Sequence, residues 1–255
     1  MAISCTYLYM KNIETLFISD VHLGSKNSNP EKLLSVLKKY EFKNLVIVGD
    51  FIDLTSLKRK FFWKESHSTV IQKILKLSRK GVKITYLIGN HDFYIRELIK
   101  EHDGMVNLGS ISIMDEYIHT TRSGERIFIC HGDQFDGVVS LHPFLYALGD
   151  KAYDFSIWLN KILNKIRNLF GLKYWSLSSY LKRQVKSAVS FVSDFKKVVL
   201  NKTSEKDVDA VMIGHIHTPA IEILGDKVYY NTGDFCETCS YLIETIEGKI
   251  ELSYE

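Results

Sequence analysis

Five short apolar runs in this chain each end in a polar turn containing Asp, His or Asn. TLFIS (15–19) leads into DVHLG, NLVIV (44–48) into GDFID, KITYLI (83–88) into GNHDF, RIFIC (126–130) into HGDQFD, and AVMI (210–213) into GHIHTP. Runs of this length, rich in β-branched and aromatic residues, read as buried strands. Helical patterns separate the first three. PEKLLSVLKKY begins at Pro30, a residue suited to a first helical turn, and STVIQKILKLSRKG ends at Gly81, a C-cap candidate. Strand–helix alternation implies an α/β fold with parallel strand pairs. In such sheets a ligand sits outside the carboxyl ends of the strands, where all five turns fall. Beyond Ala220, IEILGDKVYYNTGD and SYLIETIEGKIELSYE read as hairpins, and a second sheet built partly from them is expected.

The turns supply a ligand set. In extended backbone, residues two apart point the same way, so Asp20 with His22, and His215 with His217, are each expected to aim at a common point. Asp50, Asn90 and His131 follow the other three strands. Two carboxylates, one amide and four imidazoles exceed what one tetrahedral ion takes and suit two divalent ions sharing a carboxylate. Nitrogen and oxygen donors without thiolate favour Mn, with Fe or Zn as alternatives. Gly49, Gly89, Gly132 and Gly214 beside the ligands would let the backbone turn and approach closely.

The 255 residues suffice for one domain, 1–255, carrying an insertion. Residues 140–206 read mostly as helix and form that insertion. Within Ser156–Phe170, Trp158, Leu159, Ile162, Leu163, Ile166, Leu169 and Phe170 share one face, and Asn160, Lys161, Asn164, Lys165, Arg167 and Asn168 the other. Phe155–Leu200 carries nine Lys/Arg against one acid, +8, in a chain of net +3. A basic amphipathic segment suits peripheral membrane contact through 155–200, or its apolar face packs on the body of the protein. The chain-wide charge calls for no particular partner, and nucleic acid is not expected. The N-terminus has no basic-then-apolar leader pattern, and no apolar stretch approaches the roughly 20 residues of a membrane span. Cys5, Cys130, Cys236 and Cys239 include one unaccompanied CxxC. The expectation is a cytoplasmic protein with reduced thiols, peripheral on the inner face of the membrane.

DVHLG, GDFID, GNHD, HGD and GHIH, in this order, resemble the motifs of the calcineurin-like metallophosphoesterase superfamily. The resemblance implies a two-sheet β-sandwich flanked by helices around a dinuclear centre. It implies that Asp20, His22 and His217 hold one metal, that Asn90, His131 and His215 hold the other, and that Asp50 bridges. It places His91 beside the phosphate as acid or electrostatic stabiliser, oriented by Asp92. Such a centre hydrolyses phosphoesters by attack of a metal-bridging hydroxide.

FISDVHLGS, HGDQFD, the long helical segment and NTGD further resemble the bacterial UDP-2,3-diacylglucosamine pyrophosphohydrolase family of lipid A biosynthesis. That implies a nucleotide-linked lipid as substrate, with Asp136 as a candidate substrate contact; independently, the basic segment offers Arg183 and Lys186 as candidates to meet phosphate or anionic headgroups. Position 91 departs from the pattern: it is His where those enzymes typically carry Arg, whose planar fork suits a diphosphate. The alternatives are a soluble phosphodiesterase or nucleotidase and, with the basic segment tracking a phosphate backbone, a nuclease.

Overall fold

The computed structural model of the protein describes residues 11–138 and 192–255. It divides into two compact units, residues 1–134 with 200–255, and residues 135–199. The first contains β1 (Lys11–Asn12), β2 (Thr15–Ile18), α1 (Pro30–Lys39), β3 (Tyr40–Glu41), β4 (Asn44–Val48), α2 (Leu54–Arg59), α3 (Glu65–Arg79), β5 (Lys83–Leu87) and α4 (Tyr94–Lys100). It continues with β6 (Met105–Leu108), β7 (Ile111–Met114), β8 (Glu116–Thr120), β9 (Arg126–Cys130), β10 (Ala210–Ile213), β11 (Ala220–Leu224), β12 (Lys227–Asn231), β13 (Ser240–Glu244) and β14 (Ile250–Tyr254).

The five apolar runs form β2, β4, β5, β9 and β10, divided between two sheets. A seven-stranded sheet has the order β14-β13-β2-β4-β5-β7-β6, and a five-stranded sheet the order β11-β12-β10-β9-β8. Strands β2, β4 and β5 are parallel neighbours, as are β9 and β10. Alternate residues of the central strands feed two cores. Leu16, Ile18, Leu45 and Ile47 join Leu33, Val36 and Leu37 of α1 and Val70 and Ile74 of α3. Phe17, Val46, Val48 and Leu87 join Ile127, Ile129, Ala210 and Met212 of the other sheet. Burial on both faces explains why these strands read as unbroken apolar runs rather than alternating ones.

The first C-terminal hairpin, β11–β12, joins the five-stranded sheet as expected. The second, β13–β14, instead pairs with β2 and extends the seven-stranded sheet. Strands β6, β7 and β8 have weak apolar patterns and are additional to the five expected.

Of the expected insertion 140–206, residues 140–191 lie outside the described residues, and residues 192–203 are helical. In the second unit Phe135 and Phe195 are buried with ring centroids 6.3 Å apart. Among the described residues no helix is long and apolar enough to cross a membrane.

Candidate metal centre

The C-terminal ends of β2, β4, β5, β9 and β10 converge. Asp20, His22, Asp50 and His131 are all buried, and His217 is partly exposed. The loops that carry them brace one another through the backbone: Asp20 N–H donates to Gly49 O (3.2 Å), His22 N–H to Asp50 O (2.9 Å) and Gly214 N–H to His131 O (3.1 Å). The packing leaves no room for side chains at the intervening glycines. A Cβ on Gly49 would collide with the His131 ring, and one on Gly89 with the Asp50 carboxylate.

The backbone is not the extended one inferred from the HxH spacing. Asp20, His22, Asp50, His215 and His217 all have φ between 50° and 63°. Non-glycine residues rarely adopt this left-handed conformation, and such outliers gather at functional sites, at a cost of about 1–3 kcal/mol each. One consequence corrects the expectation of a shared aim: His215 and His217 diverge. His217 Nε2 lies 3.1 Å from Asp20 Oδ1, whereas the His215 ring packs 5.1 Å from that of His131.

Two groups of donors result. On one side are Asp20, His22 and His217, with His22 Nε2 at 3.7 Å from Asp20 Oδ1. On the other are His131, whose Nε2 is 3.2 Å from Asn90 Oδ1, and His215. Asp50 stands between, its Oδ2 3.8 Å from His22 Nε2 and 3.4 Å from His131 Nε2. Three overlapping sets have ligand atoms within 4.8 Å of one another: Asp20–His22–His217, His22–Asp50–His91 and Asp20–Asp50–His131. Most of these separations are too long for a hydrogen bond and suit atoms facing a common cation. Asp20 Oδ1 and His22 Nε2 are buried and make no well-aligned hydrogen bond, although Asp20 Oδ1 has His217 Nε2 at 3.1 Å. Such poorly satisfied atoms in a charged pair are costly unless an ion satisfies them. The donor set therefore fits divalent metal.

The electrostatics agree. Burial works against the charged form of His22, but Asp20, Asp53 and Asp50 outweigh it and lift the imidazole to about 10. Burial likewise opposes charge on His131, and Asp50 reverses the effect, raising it well above the usual range. Asp20 is held well below its ordinary value despite burial, chiefly by His217 and His22. The cluster draws positive charge, which a proton or a metal ion can supply.

A carboxylate missed in the sequence holds His91. Its Nδ1 lies 2.9 Å from Asp53 Oδ1, and Asp53 Oδ2 lies 3.7 Å from His22 Nδ1. Asp53 also caps α2, accepting from Ser56 N–H (2.7 Å) and Ser56 Oγ (2.6 Å). The second acid of GDFID, three residues before a serine, was the available signal. The orientation expected of Asp92 is thus provided by Asp53. Asp92 points into the protein, accepting from Phe51 N–H (3.1 Å), Gly89 N–H (2.5 Å) and the Tyr86 hydroxyl. Burial and the nearby Asp50 push its carboxyl up to about 6. It fixes the turn that presents Asn90 and His91.

NTGD is a second supporting element. Asn231 Nδ2 donates to Gly214 O (2.9 Å), Thr232 and Ser19 share a hydroxyl contact (2.5 Å), and Phe235 N–H donates to Asp20 O (3.1 Å). Asp136 is half-buried in a short 3-10 turn, Asp133–Val138. Arg183 and Lys186 lie outside the described residues. The donors open into a cavity of about 740 Å³, lined also by Ser25, Asn27, Asn29, Ser56, Cys236 and Glu237.

The family description "Calcineurin-like phosphoesterase" matches residues 13–219, from before the first donor strand to beyond the last donor turn. The chain belongs to this family. This phosphoesterase is a hydrolase of a divalent-metal class. It is 33% identical over 127 residues to the UDP-2,3-diacylglucosamine hydrolase of Neisseria gonorrhoeae, covering 46% of the chain and 47%, about half, of that protein. It is 25% identical over 227 residues to the Vibrio cholerae protein of the same name, covering 82% of the chain and 83% of that protein. Among solved structures it is similar to a novel archaeal phosphodiesterase (14% identity, TM-score 0.46, 94% and 98% of the two chains). It is likewise similar to the Escherichia coli phosphoesterase Yfce (15%, TM-score 0.46, 94% and 97%).

Proposed function

We propose that this phosphoesterase cleaves a phosphoester or pyrophosphate bond with two divalent ions, and that its substrate is a nucleotide-linked lipid of the UDP-2,3-diacylglucosamine kind. The observation that carries the reading is the buried pair Asp20 Oδ1 and His22 Nε2, neither in a well-aligned hydrogen bond, within a cluster whose carboxylate Asp50 faces both sides. Asp20, His22 and His217 would hold one ion, and Asn90, His131 and His215 the other, with Asp50 between; Mn suits these donors. Ions held by these residues would supply a water acidified to a nucleophile near neutral pH and positive charge to stabilise an in-line displacement at phosphorus.

The remaining work falls to the chain's own side chains. Asp53 accepts from His91 Nδ1, which directs Nε2 toward the cavity. From there His91 donates a hydrogen bond to a phosphoryl oxygen or a proton to the departing oxygen. Asn90 offers an amide beside it. The backbone N–H groups of His91 and His215 fix Asp50 and Asp20 through bonds of 2.8 and 3.0 Å, so neither carboxylate reorients during turnover.

The named relatives support the lipid-linked substrate, as does the basic amphipathic character of Phe155–Leu200, proposed here as an acyl-chain and peripheral-membrane contact within the insertion 140–206. We place the reaction in the cytoplasm at the inner membrane face. A second reading, a soluble phosphodiesterase, is favoured by His91 in place of Arg and by a cavity lining that includes no Lys or Arg among the described residues. The deciding experiment is mass-resolved hydrolysis of UDP-2,3-diacylglucosamine beside its deacylated form and simple diesters, with Mn supplied. Selective cleavage of the acylated compound at the pyrophosphate supports the first reading. Equal rates on acylated and deacylated compounds support the second.

A further inference from the structure

The last turn of α2 and its link to α3 read KRKFFWK from Lys58 to Lys64, and no acid occurs between Leu54 and Lys64. Its three aromatics behave differently. Trp63 donates from Nε1 to Ser68 Oγ (2.9 Å) and packs edge-on against His67, with centroids 5.1 Å apart. Phe62 is half-buried, with the ammonium groups of Lys26 and Lys64 at 5.9 and 5.8 Å from its ring centre. Phe61 is 77% exposed. Two aromatics therefore fasten the loop and the third is held out in water. Around it Lys26, Lys58, Arg59, Lys60 and Lys64 are all exposed, and none has an ion-pair partner among the described residues. Glu31 and Glu65 lie at the α3 end of the link, with Glu31 in Coulombic range of Lys64. Lys58 Nζ donates to Tyr94 Oη (3.0 Å), joining the end of α2 to α4, where Tyr94 and Leu98 are 40% and 51% exposed.

We propose that this surface docks on an anionic lipid bilayer, with Phe61 inserted at the headgroup boundary and the cations around it meeting lipid phosphates. Exposed aromatic and basic side chains in one patch match the two layers of a membrane interface. A single-stranded nucleic acid also takes cations and aromatics, but it needs a basic groove running to the reacting bond. Here the described cavity lining has no Lys or Arg and carries the carboxylate of Glu237. The patch adjoins the centre: Ser56, which donates to Asp53, is two residues before Lys58, and Tyr94 is three after His91. Docking would thus set the cavity mouth beside the bilayer, a role separate from that proposed for Phe155–Leu200.

The test uses the full chain and sedimentation with phosphatidylglycerol/phosphatidylcholine vesicles and with phosphatidylcholine alone. Wild type is expected to bind the anionic vesicles, and less so in salt. Each basic residue near an anionic surface is worth about five-fold, so K58E/R59E/K60E should weaken partitioning about a hundred-fold. Phe61→Ser should weaken it about ten-fold. K80E/K83E, a charge reversal at the opposite end of β5, should do so far less. All variants should keep Mn-dependent hydrolysis of bis(p-nitrophenyl) phosphate, which establishes folding and reports separately on the proposed reaction. Unchanged vesicle binding in Phe61→Ser and K58E/R59E/K60E, an equal loss in K80E/K83E, or binding of single-stranded oligonucleotide in place of vesicles would overturn the proposal.

Discussion

Strand β2 has a buried carboxylate–imidazole cluster at each end, and the two are built differently. At its start, Glu244 accepts from Thr15 Oγ1 (2.6 Å) and Arg122 N–H (2.8 Å) and lies 2.8 Å from His119 Nε2. At its finish, Asp20, His22, His217 and Asp50 sit mostly 3.1–3.8 Å apart, with no well-aligned hydrogen bond at Asp20 Oδ1 or His22 Nε2. The first cluster is closed: its charge is spent on tying β13, β2 and β8 together. The second is spaced for something between its members, and its backbone is strained to keep that spacing. Residue type does not separate structural from functional buried charge. Satisfaction does.

The largest effects are expected at the open end. Asp50→Asn should abolish phosphoesterase activity, since Asp50 faces both donor groups. Retained turnover at the wild-type rate would mean the two groups work apart. His91→Ala should lower kcat by about 10²–10⁴ while metal content stays unchanged. The loss should shrink for substrates with very good leaving groups if His91 delivers a proton. Asp53→Asn should lower kcat by about ten- to a hundred-fold, as for other groups that orient a working imidazole, and should distort the pH–rate profile; an effect on stability alone would reduce Asp53 to a helix cap.

At the closed end, Glu244→Gln should cost about 2 kcal/mol of stability and leave kcat untouched, because a charged acceptor is lost from a satisfied site. The pH dependence has a definite sign. The fold depresses the Glu244 pKa: burial opposes the depression, and His119, Thr15 and the Arg122 amide outweigh it. Its stabilisation is therefore fully present above the unfolded carboxyl value and disappears as pH falls through the lower folded value. Wild type and Glu244→Gln should converge in denaturation midpoint at acid pH. A constant difference across the range would show that packing, not charge, is responsible.

Much of the open end was legible in the sequence. Strands buried on both faces show as continuous apolar runs, and each ends in the turn that carries a donor. Thus β2, β4, β5, β9 and β10, and Asp20, His22, Asp50, Asn90, His131, His215 and His217 at their ends, could be read from pattern alone. The distribution of strands between sheets could not, because β13–β14 and β11–β12 have the same hairpin signature and differ only in tertiary partner. Strands β6–β8 are half-exposed and lack a clear period. Neighbours in sequence also mislead about side-chain direction. Asp92 adjoins His91, yet its side chain turns inward to Tyr86, and Asp53 reaches His91 from another loop. Left-handed φ at five donors leaves only a weak signature: Asp and His adopt it more often than other non-glycine residues, but far from always.

The most direct test of the account is the metal content of the open cluster, by calorimetric titration of Mn²⁺ into chelator-stripped protein in buffers of different ionisation enthalpy. Two ions per chain should bind, with release of protons, because His22 is held protonated up to about 10 in the metal-free chain and must lose that proton to become a ligand. Affinity should tighten as pH rises, and activity should return with the titration. Full phosphoesterase activity in the stripped protein, or a failure to bind Mn²⁺, would contradict the claim that the cluster's spacing is made for metal.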